Sequence, residues 1–323
     1  MCGIAGIYHP IEQELTLDTV DKKQVVSRMV ATLVPRGPDG SGIFSRDHIT
    51  LGHTRLSILD TSPLGAQPMT LPDRSVTISY NGECYNYKGL RKELSSLGCV
   101  FSSGTDTEVI LHAYKTWGLS GLKRIEGIFA IAIWDESLGR FLLMRDRLGV
   151  KPLYYAESPH GFAFGSEIKA VLEANVLDRS LNDQALSEYL WFGNTHQDRT
   201  FYQGVRQLEP GTWMIFDRNG GLSKQVWWKI EDWLHPEPST EQKAEITSKV
   251  RETLGDGVER QVVADVPIGL FLSGGIDSSA IAASLGKQNA EKINSYSAEF
   301  DFAGGNSELI KAGLVASRLG LKH

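Results

Sequence analysis

The feature that most restricts how this chain can fold is a change of rhythm after about residue 230. Before it, short apolar runs alternate with turn residues; after it come a helix, a strand, a glycine-rich turn, a helix, a strand and a final helix. Strands and helices grouped as in the first part suggest sheets stacked on each other with helices outside. The βαβ order of the second part implies a parallel sheet with right-handed crossovers. His235-Pro236-Glu237-Pro238 lies at the change and has linker chemistry. A length of 323 residues also suits two domains better than one. We therefore expect one domain over 2–215, a connecting segment over 216–240, and a second domain over 241–323. With so few strands before His323, that second sheet is expected to be only the first part of a larger one.

Within the first region, Gly3 to Ile7 reads as a strand that starts at the terminus. Val25, Val26, Met29, Val30 and Leu33 fall on one helical face, and Leu90, Leu94 and Leu97 mark a helix closed by Gly98. Ser75 to Tyr80 reads as a strand running into a turn at Asn81-Gly82. Ile128 to Trp134 is apolar at both parities, so both its faces should be covered. In the second region, Ser239 with Gln242 has capping-box spacing ahead of the stripe Ile246, Val250, Leu254, Val258 and Val262. Strands are expected over 266–272 and 293–300.

A net charge of -6 argues against nucleic acid or an anionic membrane as the main partner. No apolar run approaches a membrane span, and Glu12, Glu14 and Asp18 interrupt any signal-peptide layout. Three cysteines, Cys2, Cys84 and Cys99, form neither a disulfide framework nor a CxxC pair. A reducing cytoplasm is the expected compartment. Cys84 and Cys99 both read as small buried hydrophobes.

Cys2 is different. Removal of Met1 would leave its thiol and the free α-amine on one residue. An α-amine has a reference pKa near ~7.7–8.0 against ~10.4 for lysine, so it can serve as the nucleophile's own general base. Attack on a side-chain amide would further need an oxyanion hole, a cation for an α-carboxylate and an anion for an α-ammonium. Asn81 and Gly82 offer a side-chain amide and a backbone N–H. Arg55, in Gly52-His53-Thr54-Arg55-Leu56-Ser57-Ile58, can grip a carboxylate. Asp106, in Ser103-Gly104-Thr105-Asp106, can hold an ammonium. Taken singly, Asn-Gly is a common hairpin turn, Arg55 a surface cation, and Asp106 a first-turn acid behind a Thr105–Glu108 cap. The inference rests on their joint presence.

These blocks, with Met1-Cys2-Gly3-Ile4-Ala5-Gly6, Arg36-Gly37-Pro38-Asp39 and Asn81-Gly82-Glu83, resemble the class II glutamine amidotransferase domain. That resemblance implies an α+β fold, the four-layer αββα sandwich of N-terminal-nucleophile hydrolases. It implies Cys2 as nucleophile, Asn81 and Gly82 as oxyanion hole, and Arg55, Ile58, Leu59, Glu83 and Asp106 around bound glutamine. The runs from Arg145 to Tyr155 and from Gly165 to Ala170 resemble the asparagine synthetase branch, and their charged residues are expected to be structural.

Leu272-Ser273-Gly274-Gly275-Ile276-Asp277-Ser278-Ser279 lies between an expected strand and helix. Its glycines can turn backbone N–H groups inward as an anion nest, the helix start adds a positive dipole end, and the hydroxyls add donors. Without the lysine of GxxxxGK[ST] it is not a Walker A loop. It resembles the pyrophosphate loop of ATP pyrophosphatases, which implies a doubly wound α/β domain, of which 241–323 would be an incomplete part. ATP would bind at Leu272, Ser273, Gly274, Gly275, Asp277, Ser278, Ser279 and Ala298, with Asp277 on Mg²⁺. Together the resemblances imply glutamine-dependent asparagine synthesis from aspartate, glutamine and ATP, in a protein that could be a homodimer. The alternatives are another carboxylate acceptor, in a glycan or peptide precursor, or a fragment that only hydrolyses glutamine. Residues 1–323 are expected to form no asparagine by themselves.

Overall fold

The computed structural model describes residues 1–9, 21–159, 161–217, 219, 221–234, 241–285, 293–299 and 308–323. Contacts divide the chain into two compact units, Met1–Leu234 and His235–His323.

The first unit contains β1 (Gly3–Tyr8), β2 (Gly40–Ser45), β3 (Ile49–Arg55), β4 (Met69–Thr70), β5 (Val76–Cys84), β6 (Gly127–Asp135), β7 (Arg140–Arg145), β8 (Tyr154–Ser158), β9 (Gly161–Gly165), β10 (Val205–Gln207), β11 (Thr212–Phe216) and β12 (Leu222–Val226). They form two six-stranded antiparallel sheets, ordered β10-β8-β9-β1-β3-β2 and β12-β11-β7-β6-β5-β4. The space between the sheets is filled by Ile4, Tyr8, Leu51, Trp134, Phe141, Phe164 and their neighbours. Each large side chain taken out of water there contributes roughly 1.5–3 kcal/mol.

Helix α1 (Lys22–Leu33) lays Val25, Val26, Met29, Val30 and Leu33 on the other face of the first sheet, the stripe expected from sequence. Helices α2 (Tyr87–Ser96) and α3 (Asp106–Trp117) lie beside β5, with α3 packed against it. The result is the αββα sandwich, and β6 is buried along both faces as its unbroken apolar run requires.

Four local expectations are corrected. Asn81-Gly82 is not a turn: β5 runs through to Cys84, with Asn81 opposite Ala130 and Gly82 opposite Phe129. A Cβ on Gly82 would lie 2.4 Å from the Ile128 carbonyl, so glycine here permits close strand approach. The first unit continues past residue 215, because Leu222–Val226 pairs along Thr212–Phe216. Leu97 is exposed, since α2 stops at Ser96. Cys84 is buried, but Cys99 is only half-buried.

The second unit is thinner. It has α4 (Lys243–Gln261), β13 (Gly269–Phe271), α5 (Ile276–Ser284), β14 (Asn294–Tyr296) and α6 (Glu308–Leu319), with β13 and β14 parallel. Both strands are shorter than expected, and Phe300 falls outside the described residues. The capping box joins Gln242 and Glu245 instead of Ser239 and Gln242; Ser239 and the linker 235–238 are likewise outside the described residues. Of the α4 stripe, Val258 and Val262 pack on the small core, whereas Ile246, Val250 and Leu254 stay exposed. No described helix is long and apolar enough to cross a membrane.

Candidate active site

The first sheet places Cys2 one residue ahead of β1, between β3 and β9. Gly3 lets this entry be tight, since a Cβ there would lie 2.7 Å from Thr54 Oγ1. Arg36 Nε donates to the Cys2 carbonyl at 2.9 Å, and Arg36 Nη1 donates to Glu167 at 3.1 Å. The Cys2 sulfur accepts from the Leu56 N–H at 3.4 Å. Burial pushes the thiol up from its ordinary range and pushes the chain's amine down. The raised thiol favours its neutral form, whose proton a nearby base must accept as sulfur attacks. The amine of the unprocessed chain belongs to Met1, which lines the same cavity.

That cavity is also lined by Arg55, Ile58, Leu59, Asn81, Gly82, Glu83 and Asp106. The structure thus brings together every residue that sequence set around the thiol. Asn81 is 1% exposed, and its Nδ2 has no hydrogen-bond partner. A buried amide donor left unmatched is costly unless something else comes to accept from it. An oxyanion formed at the sulfur's target would be such an acceptor.

Arg55 is already partly engaged. It donates to the carbonyl oxygens of Ser62 at 2.8 Å and of Leu59 and Asp60, which holds the 59–62 loop against the site. Three of its bonds are accounted for, so a five-donor guanidinium keeps capacity for a carboxylate. Asp60 in turn accepts from Gly104 N–H at 2.6 Å, tying that loop to the segment before Asp106.

Asp106 is buried at the first turn of α3. Its Oδ2 accepts from Tyr80 Oη and from Cys84 N–H, both at 2.9 Å. The cap is made by Thr105, whose Oγ1 accepts from Glu108 N–H, so the Asp106 carboxylate faces the strand instead. Burial raises its pKa to about 6. Glu83, also raised chiefly by burial and then by Asp106, reaches about 7. Both raised carboxyls line the cavity, where Lys151 and the chain's amine oppose the shift of Glu83.

Sequence reasoning passed over Tyr80 and Gln67 and expected Lys151 to be structural, yet all three line this cavity. Arg145 and Asp146 fulfil the structural expectation: Arg145 donates to the Lys151 and Gly149 carbonyls, and Asp146 accepts from the N–H groups of Phe129, Leu148, Val150 and Lys151. The turn they build delivers Lys151 into the cavity wall, where burial lowers its pKa against the opposing pull of Glu83 and Cys2.

In the second unit, Leu272 is buried, and Leu272–Gly275 link β13 to α5, whose first turn holds Asp277, Ser278 and Ser279. Gly274 has φ +72, and a Cβ there would lie 2.6 Å from Lys311 Cβ. Ser273 and Ser278 hydroxyls lie 3.0 Å apart, and Gly275 N–H donates to Ser273 Oγ. Ser279 Oγ is buried with no partner, a donor at the helix start that suits an anion. Asp277 and Ala298 are exposed. Among the described residues no cluster of three His, Cys, Asp or Glu side chains could hold a metal. Asp277 alone fits Mg²⁺ only in the usual way, as one carboxylate sharing the ion with substrate phosphates.

Residues 1–228 match the family model described as glutamine amidotransferase domain, and residues 249–323 match the one described as asparagine synthase. A Bacillus subtilis protein named asparagine synthetase [glutamine-hydrolyzing] 3 is 38% identical over 93% of this chain and 48% of its own length. A Gibberella zeae protein named amidase chry2 is 33% identical over 99% of this chain and 50% of its own. The chain thus spans about half the length of these relatives. A solved glutamine phosphoribosylpyrophosphate amidotransferase from B. subtilis superposes with a TM-score of 0.52 at 18% identity, over 88% of this chain and 63% of that one, a likeness of fold.

Proposed function

The chain belongs to the glutamine amidotransferase domain family, and on that premise we propose that it hydrolyses glutamine at Cys2 to supply ammonia for asparagine synthesis. Cys2 Sγ attacks the side-chain amide while the α-amine, freed by loss of Met1, takes the thiol proton. Asn81 Nδ2 and Gly82 N–H hold the oxyanion. Arg55 takes the α-carboxylate, Glu83 and Asp106 take the α-ammonium, and Ile58 and Leu59 close the wall. The returning proton lets ammonia leave, and water cleaves the γ-glutamyl thioester to glutamate. The observation that carries this reading is the buried, unmatched Asn81 amide in one cavity with Cys2.

The second unit is read as the start of a synthetase domain that binds ATP at Leu272, Ser273–Ser279 and Ala298. Asp277 would hold Mg²⁺, which would supply charge neutralisation at the phosphates. Activating aspartate as an acyl-adenylate gives ammonia a leaving group to displace, and a dry site keeps ammonia unprotonated. The match of residues 249–323 supports this half. A different carboxylate acceptor is a second reading, since only residues 249–323 match the asparagine synthase model. Three free cysteines suit a cytoplasmic setting, and a homodimer is the assembly we propose.

The test is glutamate release from glutamine by wild type and Cys2→Ala. Loss of at least about 10⁴-fold in kcat is expected for the variant. Amide-labelled glutamine with ATP and either aspartate or other carboxylates then identifies the acceptor, and labelled asparagine is the expected product.

A further inference from the structure

β5 is paired on one side along its whole length by β6, but on the other side β4 reaches only Ile78 and Thr77. The register of Met69 with Ile78 and Thr70 with Thr77 would next set Gln67 opposite Tyr80. The backbone ladder does not extend that far. The Gln67 side chain takes the strand's place. Its Oε1 accepts from Tyr80 N–H at 2.7 Å, and its Nε2 donates to the Tyr80 carbonyl at 3.2 Å and to Thr107 Oγ1 at 3.3 Å. This amide orientation is the one in which each atom meets its complement.

Gln67 is itself fixed. It is 9% exposed, and its carbonyl approaches β2 so closely that a Cβ on Gly42 would lie 2.3 Å away. Tyr80, the residue it grips, carries parts of the site in two directions. Its hydroxyl holds Asp106, and its peptide carbonyl leads directly into Asn81, whose Nδ2 is the unmatched donor.

Resting on the glutaminase reading, we infer that Gln67 is a positioning residue for glutamine hydrolysis, its amide acting as a surrogate strand that fixes the Tyr80–Asn81 peptide for oxyanion binding. Oxyanion donors act on developing charge, so their placement is felt in the transition state more than in substrate binding. A displacement of about 1 Å in such a group can cost on the order of 100-fold.

The experiment measures kcat and KM for glutamine per alkylatable Cys2, in wild type, Gln67→Met and Gln67→Glu. Counting alkylatable sites removes any misfolded fraction. Gln67→Met keeps the volume and loses all three bonds; Gln67→Glu keeps the acceptor for Tyr80 N–H and loses the donor to Tyr80 O and Thr107. We expect kcat to fall roughly 10- to 100-fold in Gln67→Met with KM changed less than about threefold, and an intermediate fall in Gln67→Glu. If kcat per site stays within about twofold of wild type in both, or the loss lies in KM alone, the inference is overturned. A wild type that releases no glutamate would instead overturn the glutaminase reading itself.

Discussion

The two units hold their reactive groups in opposite ways. In Met1–Leu234 the cavity around Cys2 is walled by strand ends, the start of α3 and loops tied to them, and most of its polar groups are buried before any substrate arrives. In His235–His323 the serine and glycine loop lies on a two-stranded sheet, with Asp277 exposed and much of the apolar α4 stripe uncovered. The contrast teaches that amide hydrolysis needs preorganised donors in a dry cleft, whereas a phosphate nest is a property of backbone conformation. The first is built from tertiary packing and the second from a local turn.

The comparison can be broken in several places. Asn81→Ala should lower glutaminase kcat by about 10²–10³-fold, as expected for one oxyanion donor, without changing nucleotide affinity. Steady-state kinetics and titration with an ATP analogue check the two halves together. Gly274→Ala should do the reverse. A left-handed backbone forced on alanine costs on the order of 1–3 kcal/mol, so roughly 5- to 150-fold weaker analogue binding is expected with glutaminase intact.

The pH profile sharpens the electrostatic side. Glu83 and Asp106, raised to about 7 and about 6 by burial, must be ionised to take an ammonium. They charge as pH rises, so affinity for glutamine is full above about 8 and is lost as pH falls through 7 and then 6. KM should rise by up to about tenfold per pH unit below 7, and Glu83→Gln should remove the step near 7 while leaving the one near 6. The smallest effect expected is from ending the chain after Leu234. Since the first unit has its own core, glutaminase kcat should change by less than about threefold.

Much of this was legible because it follows from local rules. The α1 stripe, the doubly buried β6 and the Thr105 cap depend on periodicity and neighbouring residues, and each appears as expected. Asn81-Gly82 misled because the pair is a common turn, while here the glycine admits the Ile128 carbonyl of a strand distant in sequence. Gln67 carries no motif of its own, and Lys151 lies in a run read as structural; they reach the cavity through a β4 register and a turn built by Asp146. The α4 stripe was read correctly as apolar, but periodicity cannot say whether a face finds a partner.

The most direct test is mass spectrometry of the protein quenched during turnover with glutamine. We predict a γ-glutamyl adduct on a terminal peptide that begins at Cys2, present in wild type and absent in Cys2→Ala. Ammonia release from a protein that retains Met1, or with no adduct on that sulfur, would contradict the account.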